Sequence, residues 1–318
     1  MLDRRFPHAV APSPQAIRAG ILAYAAGDAL GVPWEGKPLD QVRWEALEDL
    51  PARHGWPRGS TSDDTDQLLL VARYLAEAKG HLDERAFLTR LAAALPRMRG
   101  AGPTTRAAVH RFRETGQLQA SGGSSIGAAM RVLPFGWATP TTAAEHRRTL
   151  TIRLSRTTHG APETIMGACV VAAMAAWAIE QHPMNAVIAA GLGEANHLAG
   201  LYALPPAALA PIRQAASGDW GPEAGGPSDA VGTLASVLQV LRGATGLAAA
   251  MKEAVALGGD TDTAAAIVGG ILGCQRGDVE SEISWLSHVR LPRADELEAT
   301  ARGLYELRRS LYQQVPHR

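Results

Sequence analysis

The sequence is poor in the features that mark secreted, membrane-spanning or nucleic-acid-binding chains. Two cysteines occur in 318 residues, Cys169 in GACVVAAM and Cys274 in ILGCQRG. Two distant thiols in apolar stretches exclude a disulfide framework and read as core residues in a reducing compartment. Lys plus Arg and Asp plus Glu each number 31, so the net charge is zero. No basic surplus points to nucleic acid and no charge run to an electrostatic tail. Aromatic residues are only 5% against 46% hydrophobic, so Ala and Gly do much of the packing, which suits closely approaching helices. The longest uncharged apolar run, Ile165 to Ile179, falls short of the ~20 residues a bilayer requires. Also missing is any convincing period-2 apolar run bounded by turn signals, the mark of a strand. Residues 1–14, MLDRRFPHAVAPSP, lack the continuous apolar segment of a secretory signal. A cytoplasmic monomer, with neither membrane nor nucleic acid as partner, is the expectation.

What is present is helical periodicity. Residues 1–14 read as a flexible, proline-punctuated arm. Helices follow over Gln15–Gly31, Gln67–Ala78, Asp83–Pro96, Thr105–Glu114, Ala128–Pro134, Thr142–Ser155, Pro162–Glu180, Met184–Ala199, Pro205–Ala216, Asp229–Leu241, Gly246–Ala256, Ala264–Leu272 and Asp295–Gln313. No linker separates them into two parts. The expected architecture is a single compact all-α domain of roughly a dozen or more helices over residues 15–314, large for one core. The irregular stretch Trp44–Ser60 reads as an ordered surface loop, with a mobile lid as the alternative, and the final VPHR as a frayed end.

The chain is organised around Leu257–Gly273, LGGDTDTAAAIVGGILG. Gly258-Gly259 permits a sharp turn, and Asp260 suits the N-cap of the small-residue helix that follows. One Asp is enough to cap. A second at Asp262 adds repulsion unless a cation lies between the two, and helix dipoles favour anions here by only ~0.3–1 kcal/mol. Thr263, three residues past Asp260, can face the same way. Oxygen ligands clustered without His or Cys suit Mg²⁺, Mn²⁺ or Ca²⁺ rather than zinc. The same grammar recurs at Ser62-Asp63-Asp64-Thr65-Asp66 before QLLLVARYLAEA, where Ser62 or Asp63 would cap and the acids exceed what capping needs. Two acid-and-hydroxyl helix starts some 200 residues apart could close around one cation cluster.

Other positions are weaker. Asp28, near the apolar end of the first helix, reads as a buried carboxylate that satisfies backbone donors. Glu35 sits in a Gly/Pro loop, where function is common. The turns Arg99–Thr105, with Gly100 and Gly102, and Ser121–Gly127, with Ser124, Ser125 and Gly127, precede helices and could cradle a diphosphate, although each alone reads as a plain turn. His159 reads as a capping or solvated residue, or as a donor to a nucleotide.

GILAYAAGDALGVPWE, SDDT and LGGDTDT, in this order and at these separations, resemble the ADP-ribosylglycohydrolase family, which includes dinitrogen-reductase-activating glycohydrolases and ADP-ribosyl-arginine and ADP-ribosyl-serine hydrolases. The resemblance spans about Gln15 to Gly277, with RGAGPTT, GAAMRVLP and TTHG in between. It implies an all-helical fold with two Mg²⁺ (or Mn²⁺) at the base of an ADP-ribose cleft. Ser62, Asp63 and Asp64 would form one metal-binding segment; Asp260, Asp262 and Thr263 would form the other. Glu35 matches the acidic residue beside the metals and the scissile bond. Gly100 and Gly102 match a phosphate- and ribose-facing loop. Ser124, Ser125, Gly127 and Met130 fall in a second ligand loop, and His159 matches a ligand-contacting His. Ile126 stands where many members have Asn, which removes one side-chain hydrogen bond to the ligand. Ser62 replaces the commoner Thr and keeps the hydroxyl.

The implied activity is metal-dependent hydrolysis of mono-ADP-ribose from an acceptor, N-linked arginine on a protein being favoured, with Glu35, Asp64 and Asp262 as catalytic carboxylates and ADP-ribose as product. Release from O-linked serine, a nucleobase or a small molecule is the nearest alternative. A silent ADP-ribose-binding relative and a two-metal phosphohydrolase are the rivals from other classes.

Overall fold

The computed structural model describes residues 12–53, 55–222 and 228–314. The expected arm therefore falls outside the described residues up to position 11, as do VPHR and part of the Gly218–Ser228 loop. Among the described residues there are thirteen α-helices and no strand: α1 (Pro14–Gly31), α2 (Asp63–Glu77), α3 (Glu84–Ala94), α4 (Pro103–Thr115), α5 (Leu133–Ala138), α6 (Ala144–Arg156), α7 (Pro162–Ile179), α8 (Met184–Leu201), α9 (Ala210–Ser217), α10 (Ala230–Gly243), α11 (Leu247–Ala256), α12 (Thr261–Gly273) and α13 (Ala294–Gln314). They form one all-α domain, as the apolar periodicity predicts.

Prolines redraw the expected boundaries. The segment expected as one helix over Ala128–Pro134 divides into a 3₁₀ stretch, Ile126–Arg131, and α5, which has Pro134 in its first turn. Pro205–Ala216 divides in the same way at Pro211, giving a 3₁₀ turn over Pro206–Leu209 and then α9. Proline has no N–H to continue a helix and favours its first turn, so each starts a new helix. Trp44–Ser60 is an irregular segment whose Ala46, Leu47 and Leu50 are buried.

α1 and α12 form the most extensively packed helix pair, and small residues explain why. A Cβ on Gly27 would lie 2.2 Å from the Ala265 carbonyl oxygen, and one on Gly269 would lie 2.3 Å from that of Ala23. The two backbones therefore touch where side chains would normally intervene. α7 passes through the middle of the bundle against α5, α6, α8, α10 and α12. By length and composition alone it could cross a membrane, yet 83% of it is buried within the bundle.

α13 closes the domain over α1, α2 and α5. Its Arg308 is 1% exposed and donates to the carbonyls of Gly136, Trp137 and Thr139 at 3.0, 3.1 and 2.7 Å, and to Glu180. These carbonyls lie at the C-terminal end of α5, where intrahelical donors run out, and that of Gly136 also accepts from Thr139 N at 3.4 Å.

The α1–α12 contact yields a stability prediction. A Cβ on Gly31 would lie 2.4 Å from the backbone N and Cα of Asp262, so Gly31→Ala must push the start of α12 away. The expected cost is about 1–3 kcal/mol, read as a lower melting temperature. Gly193→Ala on α8, where a Cβ meets nothing within 4 Å, is expected to raise stability by about 0.5–1 kcal/mol. Equal effects of the two substitutions would contradict this packing.

Candidate active site

The site is assembled from helix starts. Gly258 and Gly259 have φ of +74° and +72°, a left-handed turn that side chains rarely adopt. It delivers Asp260 to the N-cap position of α12, although Asp260 makes no side-chain capping bond. Its carboxyl instead faces Asp262 and the Thr263 hydroxyl. Two bonds tie this turn to the end of α1: Gly36 N–H donates to the Gly259 carbonyl at 3.0 Å, and the Thr261 hydroxyl donates to the Gly31 carbonyl at 2.9 Å. Glu35 is thereby held at the rim of the cleft.

Asp28 performs the structural task expected of it. It is fully buried and accepts from Ser62 N at 2.9 and 3.1 Å, from Thr65 N at 3.1 Å and from the Thr65 hydroxyl at 2.6 Å. The clamp sets the start of α2, where Ser62 Oγ accepts from Asp64 N at 3.1 Å. The two helix starts then meet: Thr263 Oγ1 donates to Asp64 Oδ2 at 2.7 Å.

The resulting cleft has a volume of about 210 Å³. On its acidic side lie Ser62, Asp63, Asp64, Asp260, Asp262 and Thr263, with Glu35 at the mouth. Gly100, Gly102, Ser125, Gly127, Met130 and His159 line the rest of it. A Cβ on Gly100 would sit 3.4 Å from Asp63 Oδ1, so this loop lies directly against the acids. Ser124 is not among the lining residues; it is exposed, and its carbonyl accepts from Ala230 N at 3.2 Å. Asp66 also turns away, toward a larger surface groove of about 390 Å³ lined by Arg73, Arg90, Arg97 and Arg99. His159 neither caps nor meets solvent: it is 1% exposed, which corrects the bland expectation for it. The sequence did not single out Trp56, Thr104 and Thr105, which also line the cleft.

Electrostatics mark this cleft. Burial, followed by repulsion from neighbouring carboxylates, raises the proton affinity of Asp64 and Asp262 well above the ordinary range. Burial also raises Asp260, lifts Asp28 to about 6 and lifts Asp63 to about 7. Asp262 Oδ1 is buried with no hydrogen-bond partner among the described residues. Orphaned buried oxygens of this kind call for an explanation, and an ion is one of them. Among the described residues no three His, Cys, Asp or Glu side chains form a ready-made metal cluster. The fit to a hard cation rests instead on a mixed carboxylate–hydroxyl donor set and on the free Asp262 oxygen.

Fold and site together define a class of all-helical proteins in which two acidic helix starts share one cleft with a glycine- and hydroxyl-bearing lining. The profile of the ADP-ribosylglycohydrolase family matches residues 11–314, and the chain belongs to that family. That family acts on ADP-ribosylated substrates, gives ADP-ribose and generally uses divalent metals. A solved structure titled "ADP-ribosylglycohydrolase-related protein complex" superposes with a TM-score of 0.75 at 29% identity, covering 92% of this chain and 98% of that one. An uncharacterized protein of Archaeoglobus fulgidus is 32% identical over 124 residues, which is 36% of this chain and 40% of that protein. The chain therefore matches well under half the length of that relative.

Proposed function

We propose that the chain removes mono-ADP-ribose from an acceptor, N-linked arginine on a protein, using two divalent cations, Mg²⁺ or Mn²⁺. Ser62, Asp63 and Asp64 would hold them from one side, and Asp260, Asp262 and Thr263 from the other. The observation that carries this reading is the meeting of two acidic helix starts around the unpartnered Asp262 Oδ1. When bound, such cations would orient the ribose hydroxyls and lower the pKa of water.

The chain's own groups supply the rest. The wall of Gly100, Gly102, Ser125 and Gly127 offers backbone and hydroxyl groups to a diphosphate, and His159 Nε2 sits among them. Glycosidic cleavage develops oxocarbenium character at the anomeric carbon, and the buried carboxylates favour positive charge beside them. Glu35, half-exposed at the mouth and 3.5 Å from Arg53, is placed to accept a proton from the attacking water. As the C–O bond forms, the C–N bonding pair leaves with the guanidine, which then takes up the proton held by Glu35.

The test is hydrolysis of ADP-ribosyl-arginine and ADP-ribosyl-serine peptides with Mg²⁺, Mn²⁺ or EDTA, with products identified by mass. Free ADP-ribose from the arginine peptide, lost in EDTA, is expected. Release from the serine peptide alone would reassign the linkage. AMP would mean diphosphate hydrolysis, and binding of ADP-ribose without turnover in any metal would sink the enzymatic reading.

A further inference from the structure

A chain of buried hydrogen bonds connects the two walls of the cleft behind its surface. Gln67 Nε2 donates to Asp63 Oδ2 at 2.6 Å. Arg131 Nη1 donates to Gln67 Oε1 at 2.6 Å, and its Nη2 donates to Thr158 Oγ1. Thr158 Oγ1 lies 2.8 Å from His159 Nδ1, and His159 Nε2 lies 3.1 Å from Ser125 Oγ. Arg131 and Gln67 are 0% exposed, and the Arg131 guanidinium lies over the Phe87 ring at 5.3 Å.

The direction of each bond follows from what each group can do. Guanidinium only donates, so Gln67 must present its carbonyl to Arg131 and its NH₂ to Asp63. Thr158 Oγ1 must likewise accept from Arg131. Its own proton then has one partner among the described residues, His159 Nδ1. That nitrogen becomes the acceptor, and the ring proton resides on Nε2, which points to Ser125 and the cleft. The ring is kept in place by its neighbours: a Cβ on Gly127 would lie 3.0 Å from both Cε1 and Nε2. Burial and the Arg131 charge hold the imidazole neutral, with its pKa lowered to about 3.

We propose that Arg131 is a positioning residue that aligns both walls of the cleft at once: through Gln67 it orients Asp63 on the acidic side, and through Thr158 it fixes His159 as the Nε2–H tautomer, a hydrogen-bond donor to Ser125 Oγ at the cleft wall that contacts the ligand. The role assigned to that donor rests on the functional reading above; the tautomer itself does not. A bidentate guanidinium suits the task because its two amino groups diverge in a rigid plane, which a lysine cannot reproduce. Removing such outer partners of metal ligands costs about 10–100-fold in metal affinity.

The test uses the full chain labelled with ¹⁵N at histidine, with the His159 signals assigned by their loss in His159→Gln. Without metal or substrate, the long-range ¹H–¹⁵N spectrum is expected to show Nδ1 as an acceptor nitrogen and Nε2 as N–H. Thr158→Val is expected to spread the signal over both tautomers and to raise KM about tenfold, the loss of roughly one hydrogen bond. It should leave the thermal shift caused by Mn²⁺ unchanged, and Thr158→Ser should restore the wild-type pattern. Arg131→Met is expected to lose the tautomer and to weaken the Mn²⁺ shift as well; Arg131→Lys should fail to rescue both. An Nδ1–H ring in the wild type, an unchanged spectrum in Thr158→Val, or Arg131→Met with both spectrum and Mn²⁺ affinity intact would overturn the proposal. Should Arg131→Met fail to fold by circular dichroism, the wild-type and Thr158→Val spectra still decide. A wild type with the expected tautomer but no ADP-ribose release would refute the functional reading and leave the positioning role standing.

Discussion

Asp262→Asn is expected to raise the melting temperature of the metal-free protein while abolishing turnover in the presence of Mg²⁺ or Mn²⁺. Asp262 is 6% exposed, its Oδ1 has no partner, and Asp64, Glu35, Asp260 and Asp28 all disfavour its charge. A buried carboxylate in such company destabilises the empty protein, and an amide of the same shape removes the repulsion. Relief of about 1 kcal/mol corresponds to a rise of about 1–2 °C in a domain of this size. Divalent cations should reverse the order. In the wild type, a site filled at a hundredfold excess over its dissociation constant adds about 2.7 kcal/mol. The Asn variant should lose most of that gain, and turnover should fall at least about a thousandfold, as expected when several kcal/mol of charge stabilisation vanish. Differential scanning fluorimetry in EDTA, Mg²⁺ and Mn²⁺, beside the peptide assay, checks all three. A metal-free variant that melts below wild type, or one that keeps the full metal shift, would remove Asp262 from the site.

Glu35→Gln is expected to lower kcat by about 10²–10⁴ while leaving the affinity for ADP-ribose within a few fold. Glu35 differs from the acids behind it: it lines the mouth of the cleft, is half-exposed, and faces Arg53. Arg53 in turn donates to the Val32 carbonyl at 2.5 Å, so the side chain opposite Glu35 is anchored to the end of α1. A group so placed can exchange a proton with water, which the enclosed carboxylates cannot do readily. Isothermal titration of ADP-ribose beside steady-state kinetics separates the roles. If affinity falls and kcat does not, Glu35 is a gate or a ligand contact rather than a base.

Asp262 was visible as part of a local motif, whereas Glu35 stood out only as an acid in a Gly/Pro loop, and the reason is physical. Ser62-Asp63-Asp64 and Asp260-Thr261-Asp262-Thr263 stand at helix starts, where capping chemistry and the onset of apolar periodicity are written within a few residues. The arrangement beyond the first turn was not legible. Asp63, Asp64 and Asp66 read alike in the chain, yet helical rotation sends Asp66 to the arginine-lined groove and the other two into the cleft. Ser124 and Ser125 are neighbours, yet only Ser125 reaches the cleft wall. Arg131 was not singled out as a site residue: it lies inside the GAAMRVLP segment, and its importance arises from Gln67, 64 residues away.

By itself, the sequence determined an all-helical chain, the two acidic helix starts and the small-residue helices that anchor them, because each depends on spacing within one or two turns. Tertiary structure alone decided which acids share a cleft, that Asp28 clamps α2 while Asp64 meets Thr263, and that His159 is enclosed behind Ser125. Those outcomes rest on contacts between residues as far apart as 199 positions, and the close approach of α1 and α12 at Gly27, Gly31 and Gly269 brings the two acidic helix starts together.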